Sequence, residues 1–309
     1  MFNNLIFFNF NFNNDISNYV SVIIQGGLGN QLFQIATAYA YSIQNKKKLI
    51  FKYSDNLYNS YNLQRKSFWN TLFSNKLNVL NINEFDNIKF LKYNEKKNYN
   101  YNDLPNVNDN NILLFGYFQS FKYLENEKTT RNFLRHLVYS SEIYMYNVYN
   151  LYNSIKLYFT KIINRECLDD DIVSMHFRRT DYILTPNNYH NTLDIDYYIN
   201  ALNIADKNCI VIFSDDIEWC KNNITDNIFE KKVFLYFVDI NNVEMEFILL
   251  SFIKHNIISN STFSLMASYI SYYDTKKTII APQKWISNLQ EKEFGKIHEI
   301  YHSDITHII

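Results

Sequence analysis

Glycine, proline and cysteine are all scarce in this chain of 309 residues, at five, three and three. The cysteines, Cys167, Cys209 and Cys220, are odd in number and lack the spacing of metal ligands or of a redox pair. That argues against a disulfide framework or a zinc site and for a reducing compartment. Charge of one sign is missing too: 30 basic side chains stand against 31 acidic ones. No global field gathers nucleic acid or an anionic membrane, so any anionic ligand must be held by local arginines. No stretch approaches the roughly 20 apolar residues needed to cross a bilayer. Leu5-Ile6-Phe7-Phe8 is apolar, but asparagines interrupt the run and neither a basic flank nor a small-residue cleavage site accompanies it. Residues 1–19 are therefore expected to be neither signal peptide nor anchor, and the protein to be soluble and cytoplasmic. Asn223 and Asn260 open N-glycosylation patterns, which in an asparagine-rich chain arise by chance.

What the chain has is 47% hydrophobic residues, enough to exclude disorder and to fill roughly two domains. Tyr19 to Ile24 reads as a strand, Gly26 to Gly29 breaks it, and Gln31 to Ile43 carries helix-period apolar residues at Leu32, Ile35, Ala36, Tyr39 and Ala40. With a strand over Leu49 to Tyr53 this makes a βαβ unit of the kind that builds parallel sheets. Residues 56–111 are asparagine-rich and weakly periodic, so loops and irregular helices are expected there; Ile112 to Tyr117 resumes as strand and Phe118 to Phe159 reads mainly as helix. Asp169 to Asp171 marks a polar break, which places the domains at 1–168 and 169–309. Beyond it, strands at Ile172–Phe177, Cys209–Phe213, Val233–Val238, Asn256–Ser259 and Thr278–Ala281 alternate with helices at Asp196–Ala205, Ile217–Asn223, Glu244–Ile253 and Thr262–Tyr272. Such alternation predicts a doubly wound parallel sheet, whose ligands bind at the carboxyl ends of its strands.

Four strand ends carry chemistry. At Gly26-Gly27-Leu28-Gly29-Asn30-Gln31 glycines permit positive φ and expose N–H groups to an anion; a glycine turn that only lets strand and helix pack is the alternative. The dinucleotide fingerprint is incomplete, lacking the third glycine, and no hydride-handling site accompanies it, so a nicotinamide oxidoreductase is excluded. At Met175-His176-Phe177-Arg178-Arg179-Thr180-Asp181, the rigid guanidinium fork suits paired phosphate oxygens. Alternation points His176 and Arg178 together and Arg179 away, so Arg178 would grip the ligand and Arg179 brace the structure through Asp181; a surface ion pair is the alternative. After Ile210-Val211-Ile212-Phe213-Ser214, Asp215 and Asp216 offer carboxylates to a guanine edge or a sugar diol, or Ser214 or Asp215 caps the next helix. At Ser259-Asn260-Ser261-Thr262-Phe263-Ser264, hydroxyls opening a helix form a phosphate cradle or a plain cap. Asp194-Ile195-Asp196 spells a manganese-holding pattern, but it precedes a helix that acids favour, so capping is the preferred reading.

Taken together, the four turns resemble the α-1,2-fucosyltransferases of glycosyltransferase family 11, which contains H-antigen-type enzymes of animals and many bacterial relatives. The Gly26 to Ala36 stretch is similar to the group's opening signature nearly letter for letter. His176-Phe177-Arg178-Arg179-Thr180-Asp181-Tyr182 resembles its central motif, which α-1,6- and protein O-fucosyltransferases share more loosely. Phe213 to Asp216 with Trp219, then Ser259 to Ser264, resemble its second and third shared motifs. The likeness runs from about Val22 to Ile286 and fades over Tyr53 to Leu113. Leu265-Met266 stands where many relatives have paired tryptophans and Thr180 where glycine is frequent, which bears on the acceptor surface.

The resemblance implies an α/β, GT-B-like fold of two Rossmann-like domains with a cleft between them, the acceptor mainly on the N-terminal domain and GDP-fucose on the C-terminal one. It implies inverting transfer of fucose from GDP-β-L-fucose to the 2-hydroxyl of a galactose-type sugar in an oligosaccharide or glycoconjugate. Another linkage, α-1,6 or protein O-linked, and a non-catalytic GDP-sugar-binding relic are the alternatives. Carried over, Arg178 binds the diphosphate, His176 and Asp215 or Asp216 the guanosine, and Asn260, Ser261, Thr262, Phe263 and Ser264 line the β-phosphate turn, while Gly29, Asn30 and Gln31 close on the donor. No metal or other cofactor is expected, because Arg178 and the hydroxyl turn can stabilise the charge that grows on the departing phosphate. The acceptor's proton needs a base, for which Asp181 and His190 are the candidates, although a carboxylate beside arginines is a weak one.

Overall fold

The computed structural model describes residues 18–58, 64–124, 127–184, 190–287 and 299–309. The segment judged above as neither signal nor anchor lies outside them up to residue 17. The chain divides into two compact units, residues 1–140 with 298–300 and residues 141–297 with 301–309.

The first unit runs β1 (Tyr19–Val22), α1 (Leu28–Gln44), β2 (Lys48–Leu49), β3 (Phe51–Lys52), β4 (Asn56–Tyr58), β5 (Gln64–Lys66), β6 (Val79–Leu80), α2 (Ile82–Asp86), β7 (Leu91–Asn94), β8 (Ile112–Phe115), a 3-10 turn at Phe121–Tyr123, and α3 (Glu127–Tyr139). Its main sheet is parallel, in the order β2-β1-β8-β7, so the chain leaves β1 on one side and returns on the other as β8. Helix α1 is buried along almost its whole length, with Leu32, Phe33, Ile35 and Ala36 at 0% exposure and Tyr39 stacked on Phe133 at 3.8 Å between centroids. Burying each such aliphatic side chain stabilises the fold by about 1.5–3 kcal/mol before chain entropy is subtracted. The strand expected over residues 49–53 is two strands. The Ile50 N–H bonds to Val20 of β1, whereas that of Phe51 turns away to Asn78, so β3 pairs with β6 instead. Residues 56–111, expected to be loops and irregular helix, also hold the antiparallel β4–β5 hairpin and the edge strand β7.

The second unit runs α4 (Glu142–Ile163), β9 (Ile172–Phe177), α5 (Thr180–Leu184), α6 (Ile195–Ala205), β10 (Cys209–Ser214), α7 (Ile217–Asn223), β11 (Phe234–Phe237), α8 (Val243–Phe252), β12 (His255–Ile257), α9 (Thr262–Ile270), β13 (Ile279–Ala281) and β14 (His307–Ile308). All six strands are parallel, in the order β11-β10-β9-β12-β13-β14. The chain thus winds outward from β9 through β10 to β11, then crosses to the other side of β9 as β12. The gap between β9 and β12 is the point where strand order reverses, the place where open α/β sheets bind ligands. Every residue of β9 is buried, as a central parallel strand covered on both faces requires.

The helix expected over 118–159 is two helices that belong to different units. It breaks between Tyr139 and Glu142, and α4 packs on α8 of the second unit, where the Tyr152 and Phe252 rings stand 6.1 Å apart. The division therefore falls at 140/141, ahead of the polar break at 169 that marked it in the sequence. Cys167, Cys209 and Cys220 are buried and free.

Candidate active site

Residues from the carboxyl ends of β9, β10 and β12 meet at the reversal point of the second unit. His176, the penultimate residue of β9, is 4% exposed and its Nδ1 lies 2.8 Å from the Ser259 hydroxyl just after β12. The Tyr198 hydroxyl donates to its carbonyl at 3.1 Å, and its ring stacks on Phe263 in the first turn of α9 at 5.6 Å. Burial, with the nearby Arg178 charge as a smaller cause against the pull of Asp215, pushes the imidazole down to about 3. His176 is therefore a neutral clamp that ties β9 to β12.

Arg178 follows directly. Its Nη2 meets Asp181 Oδ2 at 2.8 Å and its Nη1 meets Asp215 Oδ2 at 3.1 Å, and it lies 5.8 Å over the Tyr182 ring. Burial pulls its pKa down, and the carboxylates of Asp215 and Asp181 with the Tyr182 hydroxyl more than reverse this, so the guanidinium stays charged. Arg179 does brace the structure, as the strand alternation predicts, but through other partners than Asp181. It sits 3.4 Å over the Trp219 ring and 3.5 Å from Asp216, while Asp181 belongs to Arg178.

The two aspartates after β10 are spent locally. Asp215 accepts from the Arg179 N–H at 2.9 Å, the Thr180 N–H at 3.2 Å and the Thr180 hydroxyl, besides its pairing with Arg178. Four donors leave little lone-pair capacity for a guanine edge. Asp216, and neither Ser214 nor Asp215, caps α7 by accepting from the Trp219 N–H at 3.2 Å; the Ser214 hydroxyl accepts from the Asp216 N–H at 3.0 Å.

On the β12 side, Ser261 caps α9 by accepting from the Phe263 N–H at 3.3 Å. Ser264 is fully buried with its hydroxyl turned to the Ser261 carbonyl at 3.3 Å, so it supports the turn from behind. Thr262 is the partly exposed hydroxyl of the four-residue stretch. Asn260 holds the neighbouring loops: its amide donates to Asn191 O at 3.0 Å and Trp285 O at 3.1 Å, and its carbonyl accepts from the Tyr182 hydroxyl at 2.7 Å. The second base candidate, His190, stacks on Tyr182 at 4.7 Å with Nδ1 3.4 Å from Trp285 O. Burial pushes it down to about 4, too weakly basic to be ready for an acceptor proton. Asp194 occupies the N-cap position of α6 but its side chain makes no cap bond, so only the dipole part of its expected role remains.

The first turn belongs to the other unit. Gly26 has φ +77° and a Cβ there would fall 2.6 Å from Asn30 Nδ2, so glycine is required. Gly29 is buried inside α1. Gln31 is fully buried, its amide donating to Gly26 O at 3.0 Å and Lys66 O at 2.9 Å. Asn30 accepts from Gln119 at 2.7 Å, and Gln34 joins Gln25 to Gly116. These amides knit the turns after β1 and β8 together within the unit.

Two carboxyl groups escaped the sequence reading. Glu246, in the first turn of α8, is half-buried with its side chain making no hydrogen bond or ion pair among the described residues. Burial, then Asp215 and Asp239, push it up to about 7. Its only signal in the sequence was a pair of acids opening a helix. Glu95 follows β7, in a stretch with no usable periodicity.

A parallel sheet in each of two units, with a guanidinium and a helix start at a reversal point, is the architecture of nucleotide-sugar transferases of the GT-B kind. The chain matches the family model Glycosyl transferase family 11 over residues 19–307 and belongs to that family; it is a glycosyltransferase. It is similar to the O-antigen biosynthesis glycosyltransferase WbnK of Escherichia coli, at 28% identity over 304 residues, covering 85% of this chain and 94% of that one. It is also similar to an α-1,2-colitosyltransferase of Escherichia coli, at 27% identity over 294 residues, covering 89% and 95%. The fold is shared with the crystal structure of NodZ α-1,6-fucosyltransferase soaked with GDP-fucose, at a TM-score of 0.51 and 12% identity over 82% of this chain and 92% of that one. No helix among the described residues is long and apolar enough to cross a membrane.

Proposed function

We propose that this transferase moves L-fucose from GDP-β-L-fucose, with inversion, to the 2-hydroxyl of a galactose-type acceptor. The donor would bind the second unit and the acceptor the first. The observation that carries the reading is Arg178, held charged directly after β9, the strand beside which strand order reverses. As the C1–O bond breaks, negative charge grows on the β-phosphate; the guanidinium and the N–H groups of the α9 turn are fixed donors for it. Glu246 suits the donor's base, since its free carboxylate accepts from the paired N–H groups of a guanine edge while Asp215 is occupied. The α-1,2 linkage is supported by the Gly26 to Ala36 signature and by the name of the colitosyltransferase relative. That same relative favours one second reading, in which the transferred sugar is colitose.

Incubation with GDP-fucose, or with the colitosyl nucleotide, and a panel of β-galactosides, followed by linkage analysis, tests the reading; product with another linkage, or none, overturns it. Arg178→Ala leaves Asp181 and Asp215 without their counter-charge and is expected to lower stability as well as activity. Arg178→Lys keeps a charge and loses the fork, so it should stay folded and lose roughly 100- to 1,000-fold in rate, about 2.7–4 kcal/mol of transition-state stabilisation. Near-normal transfer by that variant would remove Arg178 from the mechanism.

A further inference from the structure

Three phenols hold backbone carbonyls at the carboxyl edge of the second unit's sheet. Tyr198 donates to the His176 carbonyl near the end of β9 at 3.1 Å. Tyr197 donates to the Ile258 carbonyl just after β12 at 2.6 Å and to the Ile280 carbonyl in β13 at 3.2 Å. Tyr182, in α5, donates to the Asn260 carbonyl at 2.7 Å. Tyr182 differs from the other two in what its ring touches: Arg178 Cζ lies 5.8 Å from the ring centre, and the ring stacks on His190 at 4.7 Å with 15° between the planes. Asn260 precedes Ser261, the cap of α9, and both are buried. One side chain thus touches the guanidinium that follows β9 and the backbone that opens α9, on the two sides of the strand-order reversal.

We infer that Tyr182 is a positioning residue for the transfer, setting the start of α9 and the Arg178 guanidinium at one fixed separation so that both meet the β-phosphate as its charge grows. The inference rests on the transferase reading above. The peptide between Asn260 and Ser261 is trans, so its N–H points opposite to the carbonyl that Tyr182 holds, and the phenol thereby fixes the direction of that donor. The ring attracts the cation over its face, adding a third hold on Arg178 to those of Asp181 and Asp215. Donors fixed in advance favour the charge that develops in the transition state over the ground state. Loosening them should therefore show in kcat before it shows in affinity.

Tyr182→Phe removes the phenol and keeps the ring beneath Arg178. Tyr197→Phe is the matched control, since it removes a phenol that holds two carbonyls of the same edge. Each variant is expected to melt a few degrees below wild type. Rates are taken per GDP site counted by calorimetry, so that partial unfolding does not imitate a slower step. On that basis kcat should fall roughly 10- to 100-fold in Tyr182→Phe, with GDP affinity held within about threefold, and stay within about threefold of wild type in Tyr197→Phe. A Tyr182→Phe protein that keeps its kcat, or that loses it no further than Tyr197→Phe does, assigns the phenol to stability alone and overturns the role. A rise in donor KM at unchanged kcat overturns it as well, because the phenol would then serve the ground state. A wild-type protein that binds no GDP overturns the transferase reading, and the role with it.

Discussion

At Asp215 one carboxylate meets two backbone N–H groups, a hydroxyl and a guanidinium, whereas at Glu246, close enough to feel the Asp215 charge, a carboxyl meets none among the described residues. The two acids therefore differ: the first fixes the Arg178 turn, and the second has no hydrogen bond or ion pair among the described residues. Glu246 carries a consequence in pH. Its folded pKa is raised from 4.5 to about 7, so its contribution to stability is fully present below 4.5 and is lost as pH rises through 7. In the proposed reading binding would run the other way, because a guanine edge donates and needs the ionised form. With about a tenth of the protein ionised at pH 6, GDP affinity should be roughly tenfold weaker there than at pH 8. The phosphates of GDP titrate too, so the measurement compares wild type with Glu246→Gln by calorimetry at both values. The variant is expected to bind more weakly at pH 8 and to lose the protein's share of the pH dependence. Identical pH dependence in the two proteins would detach Glu246 from the base.

At the scale of elements, the glycine turn before α1 is a test of which glycine matters. Gly26 is left-handed, and a side chain there costs about 1–2 kcal/mol in backbone strain alone, with contacts to Asn30 and Tyr117 added. Gly27, the N-cap of α1, has φ −75° and open space where a Cβ would stand. Gly26→Ala should lower the melting temperature by several degrees, while Gly27→Ala should cost under about 1 kcal/mol, the difference between glycine and alanine at a cap; equal losses would mean the turn is not held as described. The same elements show what a sequence can convey. Strand Ile172–Phe177 and helix Ile217–Asn223 were readable to the residue, and their neighbours to within a residue or two at most ends, because buried parallel strands are short, mainly apolar runs and the helices between them carry their own period. Residues 56–111 gave no such signal. Strands β3 and β6 are two residues each and exist only by pairing with each other, and β7 is an exposed edge whose register comes from β8. Glu95 was hidden for the same reason. Its importance lies in a turn of β8 that it shapes from 22 residues away, which no local pattern records. Of the second unit's site, the strand-end positions were legible and the pairings were not: alternation separated Arg178 from Arg179, but which aspartate each would meet depends on how β10 lies beside β9.

For the whole molecule, near-neutral charge and an anionic donor pose one question together. At the ends of β9 and β10 two guanidiniums face Asp181, Asp215 and Asp216, with Glu246 near enough to feel the Asp215 charge, so among the described residues these groups leave no surplus of positive charge with which to hold a diphosphate. A divalent cation would resolve this in many nucleotide-sugar enzymes, yet the three aspartates are already committed, to Arg178, to Arg179, to backbone N–H groups and to the α7 cap. Releasing them to a metal would uncover both guanidiniums and unlatch α7. In the proposed reading the donor's phosphates would instead replace carboxylates on Arg178, one anion exchanged for another, with backbone N–H groups at the start of α9 as uncharged donors. Transfer should therefore proceed at an unchanged rate in EDTA. Because the exchange is between ionic partners, donor affinity should weaken modestly as salt rises from 0.05 to 0.5 M. A clear manganese requirement, measured as loss of product in chelator and recovery on adding the ion, would return Asp194 and Asp196 to the site and remove the account of Arg178 as the principal holder of the diphosphate.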